Sequence, residues 1–286
     1  MKHPGYRLKE STYTLNMSLL LYNPLLPMKA EYAELVTASM VSRVPNDVCI
    51  HFPRTGRSLW ANESVLRKAS PYLSSLLTSG FSETESPSQD DNDVSSGNAP
   101  NDPFDFEDSD EESDKAPLPE PASRSNDFGV ARFKRINITQ ATYTTYANVL
   151  CFIGSGYIAF APLKSIQRFA ANSHLFNQPE RPSSVPIPAS PKSIYRLAHL
   201  LELPDLTDLA RQCFGSQLSP QNVAFELYTD VASIYPEIRD IAIDYAVTHW
   251  AEVSESEAYR EVRNRAENGG VDSLTGMLLI EKLTAR

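Results

Sequence analysis

Nothing in this 286-residue chain is arranged to hold a metal or a disulfide framework. Its three cysteines, Cys49, Cys151 and Cys213, stand far apart, each within an apolar pattern, and no Cys-x-x-Cys occurs. An odd count without a framework suits a reducing compartment, so cytoplasm, nucleus or both are the expected locations. The five histidines, His3, His51, His174, His199 and His249, include no pair at ligand spacing, so no metal site is expected. Nucleophile-elbow, Walker, dinucleotide-binding and metalloprotease motifs are missing as well. Gly154-x-Gly156 is a lone pair that a helix C-cap explains. The expectation is a non-enzymatic protein with no cofactor. Positive charge is scarce too. The formal net charge is −10, which excludes the broad cationic face that phosphate binding needs, so no nucleic-acid partner is expected. The basic residues between Arg260 and Arg265 alternate with Glu261 and read as a solvated helix face. No apolar run is long enough to cross a bilayer. Leu15–Leu26 is short and broken by Asn23-Pro24, and lacks a cleavage site. Residues 1–30 therefore read as a flexible extension, or as residues ahead of the true start, with no membrane partner.

What is present is concentrated between Asp47 and Glu83. Val48, Ile50 and Phe52 alternate with Cys49 and His51, the period of a strand with one buried face. Arg54-Thr55-Gly56-Arg57 carries turn chemistry and predicts a hairpin into Leu59 and Trp60. Val65-Leu66 and then Tyr72, Leu73, Leu76 and Leu77 follow at helical spacing, with Ser70 as N-cap and Pro71 as first helical residue. This is a compact α+β core. Just before it, Tyr32, Leu35, Val36 and Met40 predict a short amphipathic helix over Glu31–Val41.

Two segments interrupt the pattern. Residues 84–127 are rich in Ser, Pro, Asp, Glu and Asn, most densely from Phe104 to Asp114. So much like charge and so little apolar surface leave chain entropy unopposed, which predicts disorder. The segment reads either as a solvating loop or as a docking segment anchored by Phe104 and Phe106. Ser109 and Ser113 sit among acids that suit an acidophilic kinase, and phosphate there should extend the loop further. The second break, 164–189, ends in a Pro-rich run and holds one turn of helix near Ile166. Beyond it the chain reads as helical to its end. Helices are expected over Lys192–Leu203, from Ser219-Pro220, from Pro236, after a Ser254-x-x-Glu257 capping box and around Leu274–Ile280.

The core resembles the BTB/POZ domain. Asp47-Val48, Ala61, Val65-Leu66, Ser70-Pro71-Tyr72-Leu73, Leu76-Leu77 and Phe81-Ser82-Glu83 match the family's core in order. Asn62 and Glu63 stand where it has a His and a basic residue. The resemblance resumes at Arg135–Ile138 and Tyr146–Ile158, and again from Ser193 to Phe214. It is strongest to fungal BTB proteins that carry acidic inserts. It implies a BTB/POZ fold, a small sheet flanked by α-helices, over residues 31–213, followed by an all-α extension over 214–286. It also implies a protein–protein interaction module that pairs as a homodimer or a BTB heterodimer. In dimerising members the helix before the first strand packs across the two-fold axis, which nominates Tyr32, Leu35, Val36 and Met40; in a monomeric chain the same helix would pack on the core. Some members are substrate adaptors of cullin-type ubiquitin ligases and contact the cullin through an apolar-x-Glu triplet, here Phe81 and Glu83. The alternative implied is a BTB scaffold, or regulatory partner-binding protein, without a cullin.

Overall fold

The hairpin predicted from Arg54–Arg57 is present and organises the sheet. In the computed structural model, which describes residues 26–43, 46–78, 110–114, 133–169, 185–268 and 272–285, β1 (Val48–Phe52) pairs antiparallel with β2 (Arg57–Ala61). The Thr55 and Gly56 amides both donate to the Phe52 carbonyl, and Gly56 takes a φ of 65°, which a side chain would strain. β3 (Lys134–Asn137) returns parallel to β1, in the order β2-β1-β3, with Ile50 opposite both Leu59 and Ile136. Val48, Ile50, Phe52 and Leu59 are buried as the alternation predicts, but Cys49 on the opposite face of β1 is buried too.

The chain is a mixed α+β protein, mostly helical with this one small sheet among the described residues. α1 (Leu26–Met40) precedes the sheet and starts ahead of the boundary expected at residue 31. α2 (Glu63–Ala69) and α3 (Pro71–Thr78) follow β2. Asn62 is the N-cap of α2, and its side chain accepts from the Ser64 and Val65 amides. Ser70 opens α3 as expected: its hydroxyl accepts from the Leu73 amide and donates to the Leu201 carbonyl at 2.6 Å. α4 (Glu111–Asp114) is a single turn, and α5 (Tyr143–Ser155) follows β3. Gly156 closes α5 at a φ of 71°, its amide on the Phe152 carbonyl.

α6 (Lys164–Phe169) supplies the helical turn expected near Ile166. The Pro-rich run after it is partly core: Val185 and Ala189 are buried, and the Ala161 amide donates to the Ala189 carbonyl at 2.8 Å. α7 (Pro191–Leu200) and α8 (Pro204–Ser216) pack together across a tight corner in which Glu202 takes a left-handed φ of 56°. The helix expected from Ser219-Pro220 is instead two short pieces, α9 (Val223–Glu226) and α10 (Asp230–Ile234). Asn222 holds the entry, its Oδ1 accepting from the Ser219 amide at 2.7 Å. α11 (Pro236–Thr248) and α12 (Trp250–Val253) come next. α13 (Glu257–Glu267) is capped by Ser256, whose hydroxyl accepts from the Tyr259 amide; the expected cap, Ser254, instead donates to the Ala251 carbonyl. α14 (Ser273–Thr284) ends the described chain. One continuous buried cluster runs from β1 through α5, α7 and α8 into α9–α11, so the last helices share a core with the sheet.

Candidate interaction surfaces

α1 is clamped onto α5 by its small residues. Ala33, Val36, Thr37 and Met40 form the inward stripe, at the spacing of one helix face. Ala33 and Met40 are buried, and Val36 lies against Gly154 so closely that a Cβ there would fall 2.7 Å from Val36 Cγ1. Gly154 is therefore a contact glycine, and only Gly156 is the C-cap. Thr37 Oγ1 donates to the Ala33 carbonyl at 2.7 Å. Of the four residues expected at an interface, two pack on the core of the same chain. Met40 and Val36 are used within the chain, because the true apolar stripe is shifted and includes Ala33. Tyr32 and Leu35, 55% and 68% exposed, lie on the outer side, and Val41 just beyond the helix is 69% exposed. The overlooked signal is small-residue complementarity, Ala33 against Gly154, which a count of large apolar side chains misses.

A second cluster braces the C-terminal end of α3. Glu63 accepts from Arg67 Nε and from Lys134 Nζ, both at 2.6 Å. Arg67 also donates to the Ser74 and Leu77 carbonyls and to Thr78 Oγ1, while Lys134 reaches the Leu77 carbonyl at 3.1 Å. The Leu77 carbonyl, which the end of α3 leaves open, is thus capped by cations from α2 and β3. The Lys134 hydrogen bond, with Arg67 beside it, holds the Glu63 carboxyl below its ordinary value despite some desolvation. The Asp47 carboxylate accepts from the Glu63 amide at 2.7 Å. Phe81, Glu83 and Ser109 lie outside the described residues, as do Phe104 and Phe106.

Five residues of the segment expected to be disordered are placed against the core. Asp114 accepts from the Tyr143 amide at 2.8 Å, the Thr144 amide at 2.9 Å and Thr144 Oγ1 at 2.7 Å. Asp110 accepts from Thr145 Oγ1 at 2.8 Å and the Ser190 amide at 2.9 Å. Both aspartates are buried. Arg54 donates to Glu111 at 2.6 Å, and Arg57 Nη1 stands 3.9 Å from Asp114 with its guanidinium over the Tyr143 ring. The physical reason is local. The first turn of a helix presents amides without intrahelical partners and a positive dipole end, and acids separated by one helical turn reach it together. Composition over the whole segment hides so short an anchor. Ser113 is partly buried in this turn, its amide donating to the Asp110 carbonyl at 3.0 Å.

Other polar features have structural roles. Lys192 on α7 donates to Glu226 on α9 at 2.8 Å, both fully buried. The three thiols are free and buried. Burial raises all three above the ordinary range, Cys213 to about 11, so at neutral pH they are protonated and poor nucleophiles. Among the described residues no group of three or more His, Cys, Asp and Glu side chains could hold a metal ion, and no helix is long and apolar enough to cross a membrane. A further apolar stripe, Leu274, Met277 and Ile280, is exposed along α14. No protein-family model matches the chain, and no curated protein matches it.

Proposed function

We propose that this chain is a non-enzymatic protein–protein interaction module of the BTB/POZ kind, which dimerises through α1 and serves as an adaptor that brings a partner to a cullin. The observation that carries the reading is the two-sided character of α1. One side is clamped on α5 by Val36 against Gly154, while Tyr32 and Leu35 stand apolar and exposed on the other. A helix so fixed, placed directly before the first strand, has the position that the family uses for pairing. The hairpin and two helices fall in the first block of sequence that resembles the family, β3 and α5 in the second, and α7 and α8 in the third.

The adaptor reading rests on Phe81 and Glu83, just beyond α3. Phe81 would supply apolar contact, worth about 1.5–3 kcal/mol when buried, and Glu83 a rim charge worth less. Capture of a purified cullin by the full chain tests it. Phe81→Ala is expected to weaken binding about tenfold without lowering the melting temperature, and Glu83→Ala less. A chain that folds and dimerises but captures no cullin is the scaffold instead.

A further inference from the structure

We propose that Asp110–Asp114 is an acidic latch that fastens the 84–127 segment to the core, and that phosphorylation of Ser113 releases it. The inference does not depend on the family reading, because it uses only the geometry around α4. The latch closes on donors from two separate places. Asp114 takes the first amides of α5, and Asp110 takes the Thr145 hydroxyl and the amide of Ser190, beside the start of α7. Both carboxylates are buried, so the turn is a fitted contact rather than a surface association.

Charge decides what a phosphate would do there. The sequence puts Asp110, Glu111, Glu112 and Asp114 around Ser113, and among the described residues Arg54 and Arg57 stand beside this turn. Arg54 is engaged with Glu111, and Arg57 is stacked on Tyr143 near Asp114. Residues 110–114 themselves carry four acids and no basic side chain. A phosphoserine adds about −1.5 to −2 charges at neutral pH beside two carboxylates that are held out of water. Repulsion and desolvation then both favour the undocked turn. Ser113 is only partly buried in the latch, and an acidophilic kinase acts on the fraction that is open. In the transfer, the Ser113 hydroxyl attacks the γ-phosphorus of ATP. The β–γ phosphoanhydride bond breaks, an ester O–P bond forms, the hydroxyl proton passes to the kinase base, and ADP leaves. Once modified, the turn stays undocked, and the donors of Tyr143, Thr144 and Ser190 turn to water.

The test is amide hydrogen exchange on the full chain carrying phosphoserine at 113, incorporated during synthesis. Unmodified protein sets the docked level, and the Asp110→Ala/Asp114→Ala variant sets the released level. The proposal expects the Tyr143, Thr144 and Ser190 amides to exchange at least about tenfold faster in the phosphoprotein, near the level of the double variant. Ile50 in β1 should remain as protected as before. Unchanged protection at those amides would overturn the switch, and so would slower exchange, which would mean that Arg54 and Arg57 had taken up the phosphate. Loss of protection at Ile50 as well would make the turn part of the folding core and not a latch. Wild-type protection in the double variant would show that the carboxylates do not hold it.

Discussion

Gly154 shows how much one missing side chain determines. A glycine inside a helix is ordinarily about 1 kcal/mol worse than alanine. Here Gly154→Ala would put a methyl 2.7 Å from Val36 Cγ1, and a β-branched side chain on a fixed helix has little room to turn away. The overpacking term, about 1–3 kcal/mol, outweighs the propensity gain. Chemical denaturation should find Gly154→Ala less stable by about 1 kcal/mol. Adding Val36→Ala should recover part of that loss through a favourable coupling between the two sites. Independent, additive effects would mean that α1 is not clamped there.

Glu63 makes a second case at this scale. Its folded carboxyl is held below its unfolded value of about 4.3 by Lys134 first and Arg67 next. A lowered folded value means stability that is fully present above the unfolded value and lost as pH falls through the folded one. The three side chains are 23–32% exposed, so the contribution is about 1 kcal/mol or less. Glu63→Gln should be less stable than the parent at pH 7, with the gap closing below about pH 4. A gap that stays constant down to pH 3 would remove the charge argument.

At the scale of elements, the sequence was a good guide wherever a period met a local signal. β1 and β2 were legible because alternation met a Gly56 turn, and α3 because Ser70-Pro71 marks its start. α1 was legible as a helix but its face was not, since Ala33 and Gly154 are silent in a pattern built from large apolar residues. Asn62 and Glu63 depart from the pattern of the family the sequence resembles, yet the first caps α2 and the second ties α2 to β3. The split between α9 and α10 escaped because the apolar stripe runs on across it, while Thr229 takes extended backbone, with φ −82° and ψ 156°, between the two pieces. α4 was hidden by composition: its anchoring depends on where the first turn of α5 lies, a tertiary fact. The exposed faces of α1 that bear on pairing were therefore only half readable.

Across the whole molecule, the junction of α7 with α9 makes the sheet end and the helical end one body. Lys192 and Glu226 are 1% and 0% exposed, and their ion pair spans that junction. Removing one partner leaves a buried charge uncompensated, which costs about 3–5 kcal/mol. Lys192→Met should therefore destabilise the whole chain in a single cooperative transition. Lys192→Met/Glu226→Leu should be markedly less damaging than Lys192→Met alone. Two separated transitions in either variant would mean that the helical extension unfolds on its own, contrary to the shared core.

Truncation cannot isolate the contribution of α1 to pairing. Removing the chain before Asp47 would strip Ala33 and Met40 from the core along with the outer face. Tyr32→Ser/Leu35→Ser changes only the exposed side. A standard interface needs about 800 Å² per partner, so these two side chains would be its apolar centre rather than its whole extent. Light scattering across a concentration series measures the outcome directly. The parent should show twice the chain mass of 31.8 kDa, and the double variant should fall to 31.8 kDa with an unchanged melting temperature. A parent that stays at the chain mass throughout, or a variant that keeps the doubled mass, would contradict pairing through this helix.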